Sequence, residues 1–483
     1  MQNRLLLIII IISLILGAST LTRGHDWGDD FAWYILQAKS ILNGTIDEFM
    51  QTSAFTNNES TTYVGPLAYP WGYSLILTPV VAVRGVNPLA LKLPALFFYA
   101  GFLIGLYLLV KTHLTQTESL LVVSLFAFNP LLLQFLNEIL SDIPFLFFST
   151  FSLWLIMKNG RRSLWRNILI GASIYTVAFM RATGILLLGC FLIVEFFKLL
   201  NNRRDWSTVK QIVLDTFVVC SSFIVLWIVG SMLFPNGGAS YLAQYAGMTI
   251  DTIKDFAVRY FYAYDLFFGD RTATGWRYLF YLLVAFFLIG VWIRRKDETI
   301  FILFFIFWMI VHIAYPYWQG SRYIFPLLPI FIYFIFMGMK FVIGKLPEKY
   351  KPSGQWGFYG FWSLIIGIFL FNSSVAAYTN LKNDRAINGP FDPYSEQVYK
   401  YIEEKTPADS VVIFFKPRVM RLMTGRDAIM STECDRMLKG DYLVLSKKVG
   451  ENQQIPPEEI DACNLPLTMV LTNNRFIVYQ IQK

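Results

Sequence analysis

The sequence predicts a polytopic α-helical membrane protein with a small C-terminal α/β domain on the outer side. Three observations predict it. The 483 residues are 55% hydrophobic and only 15% charged, where a soluble chain is about one quarter charged. The apolar residues gather into runs long enough, or nearly so, to cross a hydrocarbon core of about 30 Å. The gaps between runs alternate in charge. This composition excludes a disordered chain, a collagen-like fibre and a small disulfide scaffold.

Eleven membrane helices are read from the runs, at roughly 4–22, 89–110, 117–136, 143–157, 167–181, 184–200, 209–233, 277–293, 299–315, 323–343 and 357–378. The fourth is short, and almost nothing separates the fifth from the sixth. The first ends in Gly17-Ala18-Ser19, small enough for signal cleavage, but only Arg4 precedes its apolar core. A retained helix is the better reading.

The net charge of +8 raises the question of nucleic-acid binding, and its location answers it. Residues 380–483 hold 14 basic and 14 acidic side chains, so residues 1–379 carry all of the excess. One set of gaps holds Lys111; Lys158, Arg161, Arg162 and Arg166; Lys198, Arg203, Arg204 and Lys210; Arg294, Arg295 and Lys296; and Lys340, Lys345, Lys349 and Lys351. With Arg4 and the helix ends this set sums to +10, and the other set sums to −2. The positive-inside rule assigns the basic set to the cytoplasm. The N-terminus is then cytoplasmic, and residues 380–483 lie outside a cell (inner) membrane after eleven crossings.

The outer gaps hold the chemistry-bearing residues. The first, about 21–88, opens His25-Asp26-Trp27-Gly28-Asp29-Asp30. Apolar residues then recur at helical spacing from Phe31 to Leu42, predicting an amphipathic helix along the membrane surface. Asn43-Gly44 stops it. One carboxylate would suffice to cap this helix. A pair also suits general-base work, because like charges raise one pKa. The segment Tyr69-Pro70-Trp71-Gly72-Tyr73 through Pro79 is too interrupted for a plain spanning helix and reads as a second interfacial element. The second outer gap carries Glu138 and Asp142, four residues apart, between two apolar helices. Ionisable groups at such depth often mark a site.

Arg181 falls at an outer turn. The gap from about 234 to 276 holds Asp251, Asp255, Arg259, Asp265, Asp270 and Arg271, with Tyr260, Tyr262 and Tyr264 at alternate positions suited to stacking on a sugar. The last outer turn runs from His312 to Pro326 and includes Arg322. An Arg there can grip a lipid phosphate by bidentate bonds, or serve as a snorkelling anchor. His312 reads as a hydrogen-bonded structural His before a metal ligand.

In residues 380–483, Tyr394–Glu404 has helical spacing. Strands are predicted at 411–415, 442–445, 468–471 and 476–479. The basic stretch Pro417–Arg426 reads as a solvated face, and no catalytic constellation is visible in this domain. Cys434 and Cys463 lie outside, where a bridge can form; Cys190 and Cys220 read as packing residues. No internal repeat, P-loop, dinucleotide fingerprint or CxxC occurs.

Taken in order, these motifs resemble the C-type glycosyltransferase superfamily. They are most similar to bacterial relatives of dolichyl-phosphate-mannose protein mannosyltransferases and of the lipid A aminoarabinose transferase. The residues carrying the resemblance are Asp29-Asp30 before a helix, Tyr69-Pro70-Trp71-Gly72-Tyr73 (similar to the family's Tyr-Pro-Pro-x-Tyr), Ser141-Asp142 opening a helix, and Ser321-Arg322-Tyr323 with its following prolines. Outside the membrane, Tyr401-Ile402-Glu403, Thr406-Pro407 and Thr424-Gly425-Arg426 also match. Each motif is weak alone; their order over nearly the whole chain is fairly specific.

The resemblance implies a transmembrane glycosyltransferase domain at 1–379 and a soluble outer domain at 380–483. It implies transfer of a sugar from a polyprenyl-phosphate donor to an extracytoplasmic protein, lipid or polysaccharide. Asp29 or Asp30 would be the base, with Asp142 as a further catalytic acid residue. Arg322, Arg181 and Tyr323 would meet the donor phosphate, and Glu138, Tyr69, Trp71 and Tyr73 the substrate. Cofactors are left unknown; a divalent metal stays open, with His312 and Asp142 as weak candidate ligands. The alternative is a lipid or polysaccharide flippase, which favours charges within helices and repeat symmetry.

Overall fold

The computed structural model of the chain describes residues 2–160, 162–235, 237, 245, 248–269, 274–448 and 453–482. Arg161, Asp270 and Arg271 lie outside the described residues. Among these, six helices are long and apolar enough to cross a membrane: Pro88–Val110, Ala182–Asn201, Trp206–Leu233, Arg277–Arg294, Ser321–Gly344 and Glu348–Lys382. Six shorter apolar helices accompany them, at Arg4–Thr20, Gly72–Arg84, Gln116–Ala127, Asp142–Met157, Leu164–Met180 and Thr299–Ile313. Every run read as a helix is helical. At 1.5 Å per residue, the 28 residues of Trp206–Leu233 reach about 42 Å. The 12 of Gln116–Ala127 reach only about 18 Å.

That short helix is part of the run expected as one element over 117–136. The run breaks at Asn129-Pro130. The Asn129 carboxamide caps the next helix, Pro130–Phe135, by accepting from the Leu132 N–H (3.2 Å), and donates to the Phe267 carbonyl (2.8 Å). Proline at the first helical position gives up no hydrogen bond. Between the fifth and sixth runs, Arg181 alone is extended (φ −149°, ψ 134°), followed by a 3-10 turn at Ala182–Ile185.

One expectation for the segment from 21 to 88 needs correction. A helix forms at Asp30–Asn43 and stops at Gly44 in the left-handed conformation (φ 70°). It is not a half-exposed surface helix, because Phe31 through Ala38 are all buried. It packs between the Gly72–Arg84 helix and the C-terminal domain. The segment read as too interrupted for a plain spanning helix forms a short one from Gly72 to Arg84, with Pro79 inside. At 13 residues it reaches about 20 Å, short of a full crossing.

The C-terminal domain is α/β as expected. Strands β1 (Val411–Phe414), β2 (Asp427–Ile429), β3 (Tyr442–Ser446), β4 (Leu467–Thr472) and β5 (Phe476–Ile481) form one sheet in the order β2-β1-β3-β5-β4. β1 pairs in parallel with β2 and β3; β5 pairs antiparallel with β3 and β4. The three residues of β2 are too few to show a period in the sequence. Cys434 and Cys463 form a disulfide. The stretch Pro417–Arg426 is not a solvated face. Its helix, Pro417–Thr424, buries Arg418, Val419, Met420 and Leu422.

A polar knot ties the first helix to its neighbours. The fully buried Lys92 ammonium donates to the Thr22 carbonyl (3.1 Å) and hydroxyl (3.0 Å), the Gly24 carbonyl (2.6 Å) and the Asn137 carboxamide (2.7 Å). Replacing it leaves buried acceptors without a donor, at about 1–3 kcal/mol each. Lys92→Met is therefore expected to lower stability by about 3 kcal/mol, read as a clear drop in melting temperature in detergent; an unchanged melting curve would refute this account.

Candidate active site

The Asp30–Asn43 helix presents Asp30, Tyr34 and Gln37 along one face, as residues four and seven apart do. Gln37 holds the Tyr69 backbone from both sides: it donates to the carbonyl (3.0 Å) and accepts from the N–H (3.2 Å). Tyr69 then donates its hydroxyl proton to Asp30 Oδ1 at 2.6 Å. Arg322 Nη1 donates to Asp30 Oδ2 at 3.0 Å, while its Nη2 donates to Gln319 (2.8 Å). Gly320, at φ 75°, allows the chain to turn into the 3-10 segment Ser321–Leu327 that carries Arg322.

Neither carboxylate caps the helix. Asp29 sits at the N-cap position without a side-chain capping bond. Its Oδ2 lies 3.7 Å from Arg418 Nε, and its Oδ1 is buried with no hydrogen-bond partner among the described residues. Burial pushes the Asp29 carboxyl above the usual carboxylate range, with Arg418 and Lys416 opposing. Burial pushes Asp30 the same way, but there the Arg322 charge and the Tyr69 bond win and hold it at about 2. Two adjacent carboxylates are thus driven in opposite directions, a pattern that separates roles in acid–base sites.

Asp30 lines a cavity of about 620 Å³, together with Tyr34, Tyr69, Arg181, His312, Arg322 and Tyr323. Met180, Ile185, Leu186 and Val311 give it an apolar side, and Tyr63, Tyr245, Tyr315 and Tyr317 an aromatic one. Arg181 and Arg322 meet on the Tyr323 ring, their guanidinium carbons 5.0 and 5.6 Å from its centroid. Arg181 Nη2 is 3.0 Å from Asp142 Oδ1, and its Nε donates to Ser141 (3.2 Å), which also bonds the Tyr34 hydroxyl (3.0 Å). The second outer segment is joined to the first helix through this serine.

The structure therefore gathers Asp29, Asp30, Asp142, Arg181, Arg322, Tyr323 and Tyr69. Five sequence candidates lie outside the cavity lining: Asp29 and Asp142, held as described above, and three others. Glu138 contacts His25 Nε2 at 3.2 Å; burial and Asp26 push it up to about 7, against Lys92. Trp71 donates to the Pro235 carbonyl (2.9 Å) and stacks on Phe234. Tyr73 is fully buried, edge-on to Tyr34. These three support the wall behind the lining. Of the alternate tyrosines, Tyr260 packs on Trp318 and Tyr264 bonds the Met309 sulfur; Tyr245, not among them, reaches the cavity.

Asp142 and His312, the candidate metal ligands, are each held by neighbours, while His312 Nε2 is buried without a hydrogen-bond partner among the described residues. Asp142 is engaged by Arg181, and His312 stacks between Trp308 and Tyr323 with Nδ1 on the Trp308 carbonyl (2.7 Å). Among the described residues no group of three or more His, Cys, Asp or Glu side chains is arranged to hold an ion.

The residue the sequence did not reveal is Arg418. It is 2% exposed, and its guanidinium lies 4.1 Å from the Trp33 ring centroid. Nη1 donates to the Tyr69 hydroxyl (3.1 Å) and Nη2 to the Pro66 carbonyl (3.2 Å). Its signal was present: Pro417 begins a helix, Gly425 ends it (φ 69°), and Arg418 precedes Val419 and Met420. Nothing local marks the helix as packed on another domain.

No protein-family model matches the sequence, and no curated protein matches it. Solved structures do match in fold. ArnT from Cupriavidus metallidurans in the apo state superposes with TM-score 0.59 at 11% identity, covering 98% of this chain and 97% of that one. The same protein bound to undecaprenyl phosphate gives 0.57 at 11% identity, over 98% and 97%. The archaeal oligosaccharyltransferase AglB from Archaeoglobus fulgidus, in complex with an inhibitory peptide and a dolichol-phosphate, gives 0.59 at 12%, over 99% of this chain and 74% of that one. The chain therefore shares the overall fold of ArnT and AglB over nearly its whole length.

Removing one partner of the buried Asp142–Arg181 pair strands the other. Asp142→Asn is expected to cost about 3 kcal/mol of stability. Adding Arg181→Gln should recover part of it, since residues in contact are non-additive. Thermal unfolding of both single variants and the double would show purely additive losses if the pair were idle.

Proposed function

We propose that this chain, with the fold of the C-type glycosyltransferases, is an integral membrane transferase. It moves a sugar from a polyprenyl-phosphate donor to a hydroxyl acceptor outside the cytoplasm. The observation that carries this reading is the cavity itself. One ionised carboxylate faces two arginines and a wall of tyrosines, beside an apolar side. That combination suits an anionic phosphate, a sugar ring and a lipid tail together. The fold shared with proteins solved with undecaprenyl phosphate and dolichol-phosphate supports it further.

In this reading Asp30 is the base, because it borders the cavity while Asp29 faces Arg418. An acceptor hydroxyl is a poor nucleophile, so a carboxylate within hydrogen-bond reach takes its proton as it attacks the anomeric carbon. Arg322 and Arg181 neutralise the charge that grows on the departing polyprenyl phosphate. Arg322 holds Asp30 until a donor phosphate competes for its guanidinium. Sharing that cation makes Asp30 a stronger base when the donor is present. Direct displacement inverts the anomeric centre; a retained configuration in the product would sink this mechanism. A flippase lacks comparable support, because the cavity's charges sit at helix junctions and outer segments rather than along a path through the bundle.

The assay is release of polyprenyl phosphate from synthetic polyprenyl-phosphate sugars by the purified protein. Asp30→Asn should lower kcat about 10²- to 10⁴-fold, with Asp29→Asn affected far less. Full turnover by Asp30→Asn excludes Asp30 as base. Orientation is tested separately. With the N-terminus cytoplasmic and residues 380–483 outside the inner membrane, an alkaline phosphatase fused after Lys483 should be active; an inactive fusion with normal expression reverses the topology.

A further inference from the structure

We infer that Arg418 of the C-terminal domain is a positioning residue for Asp30, acting through the hydroxyl of Tyr69. This rests on the reading of Asp30 as base. The contact spans 349 residues of sequence, so only docking of the outer domain creates it.

A tyrosine hydroxyl carries one proton and can also accept. Tyr69 accepts from Arg418 Nη1 at 3.1 Å, so its own proton is directed to Asp30 Oδ1, 2.6 Å away. A guanidinium cannot be deprotonated in proteins, so this polarity is permanent. The same fork fixes what surrounds it. Nη2 holds the Pro66 carbonyl (3.2 Å), and the flat face lies on Trp33, three residues along the helix that begins at Asp30. Its charge also offsets Asp29 (3.7 Å), the second carboxylate of the pair.

The backbone opposite is shaped for this side chain. Gly65 adopts φ 139°, a conformation L side chains rarely take, and a Cβ there would collide with the Arg418 guanidinium. Gly65 and Pro66 also line the cavity. A solvated surface arginine requires none of this accommodation. A lysine would supply a point charge but not the three directed contacts.

Asp30 is faced by Arg322, Tyr69, Arg418 and its neighbour Asp29, with Tyr34 and His25 nearby. Loss of Arg418 removes one cation from this set and frees the Tyr69 hydroxyl to rotate. Both changes favour the protonated carboxyl. The acid limb of kcat/KM should therefore move to higher pH.

The test uses the full-length protein in detergent with the polyprenyl-phosphate sugar that serves as donor. Arg418→Met is expected to lower kcat about 100-fold, with KM changed less, and to raise the acid limb by about one pH unit. Tyr69→Phe should do the same, and the double variant should be no worse than either single. Arg418→Lys should recover only a minor part. Additive losses, an unmoved acid limb or a pure KM effect would each overturn the inference. If Arg418→Met does not fold, the comparison passes to Arg418→Lys, Tyr69→Phe and their double, with the same outcomes. An active Asp30→Asn would remove the underlying reading; an inactive Asp30→Asn beside additive Arg418 and Tyr69 variants would remove this inference alone.

Discussion

Two adjacent carboxylates, Asp29 and Asp30, are held largely away from water, with side-chain exposures of 16% and 30%. Desolvating an ionised carboxylate costs several kcal/mol unless charge and hydrogen bonds compensate. The chain meets that cost from two distant places. Arg322 arrives from the turn that follows Gly320 and Arg418 from the C-terminal domain. Arg322 bonds Asp30 directly, Arg418 offsets Asp29 from 3.7 Å, and Tyr69 bridges Arg418 to Asp30. The arrangement of the first outer segment follows from this. The Asp30–Asn43 helix must be buried between both domains for its N-terminus to meet both cations.

Charge is used differently elsewhere in the bundle. In the basic gaps, Glu298 takes Arg294 (2.9 Å), His113 (3.2 Å) and Tyr333 (2.9 Å) onto a single oxygen, Glu118 takes Lys340 (2.7 Å), and Glu195 takes Arg162 (2.8 Å). These pairs join neighbouring helices, and none of their residues lines the cavity that Asp30 borders. Around Asp30 the charged groups open onto space. The difference between a structural tie and a site here lies in what the paired groups face, since the residue types and distances are alike.

Much of the membrane domain was legible because its signals are one-dimensional. Apolar run length and basic bias survive any packing arrangement, so the positions of the helices followed from them. Where the reading failed, a local signal competed with tertiary packing. The apolar spacing of the Asp30–Asn43 helix read as a membrane-surface face, yet packing against the Gly72–Arg84 helix and the C-terminal domain buries it. Asn129-Pro130 split an apolar run whose hydropathy never falters. Asp30, Arg322 and Tyr69 could be picked out because they sit in the motifs that carried the resemblance, and Arg181 because it falls at a turn between two apolar helices. Arg418 could not, because arginine in a charge-balanced domain is ordinary until its neighbours are known.

The order of residues alone determined that this chain spans a membrane, which gaps carry the positive charge, and that an acidic pair, two arginines and an aromatic segment share one side. Those properties depend on composition and spacing along the chain. Tertiary structure decided that Asp30 and not Asp29 borders the cavity, that Glu138, Trp71 and Tyr73 stand behind its lining, and that a residue 349 positions from Tyr69 completes the cluster. Such outcomes turn on direction and distance between segments remote in sequence. The free energy of burying a carboxylate is settled only when its partners are within a few ångströms.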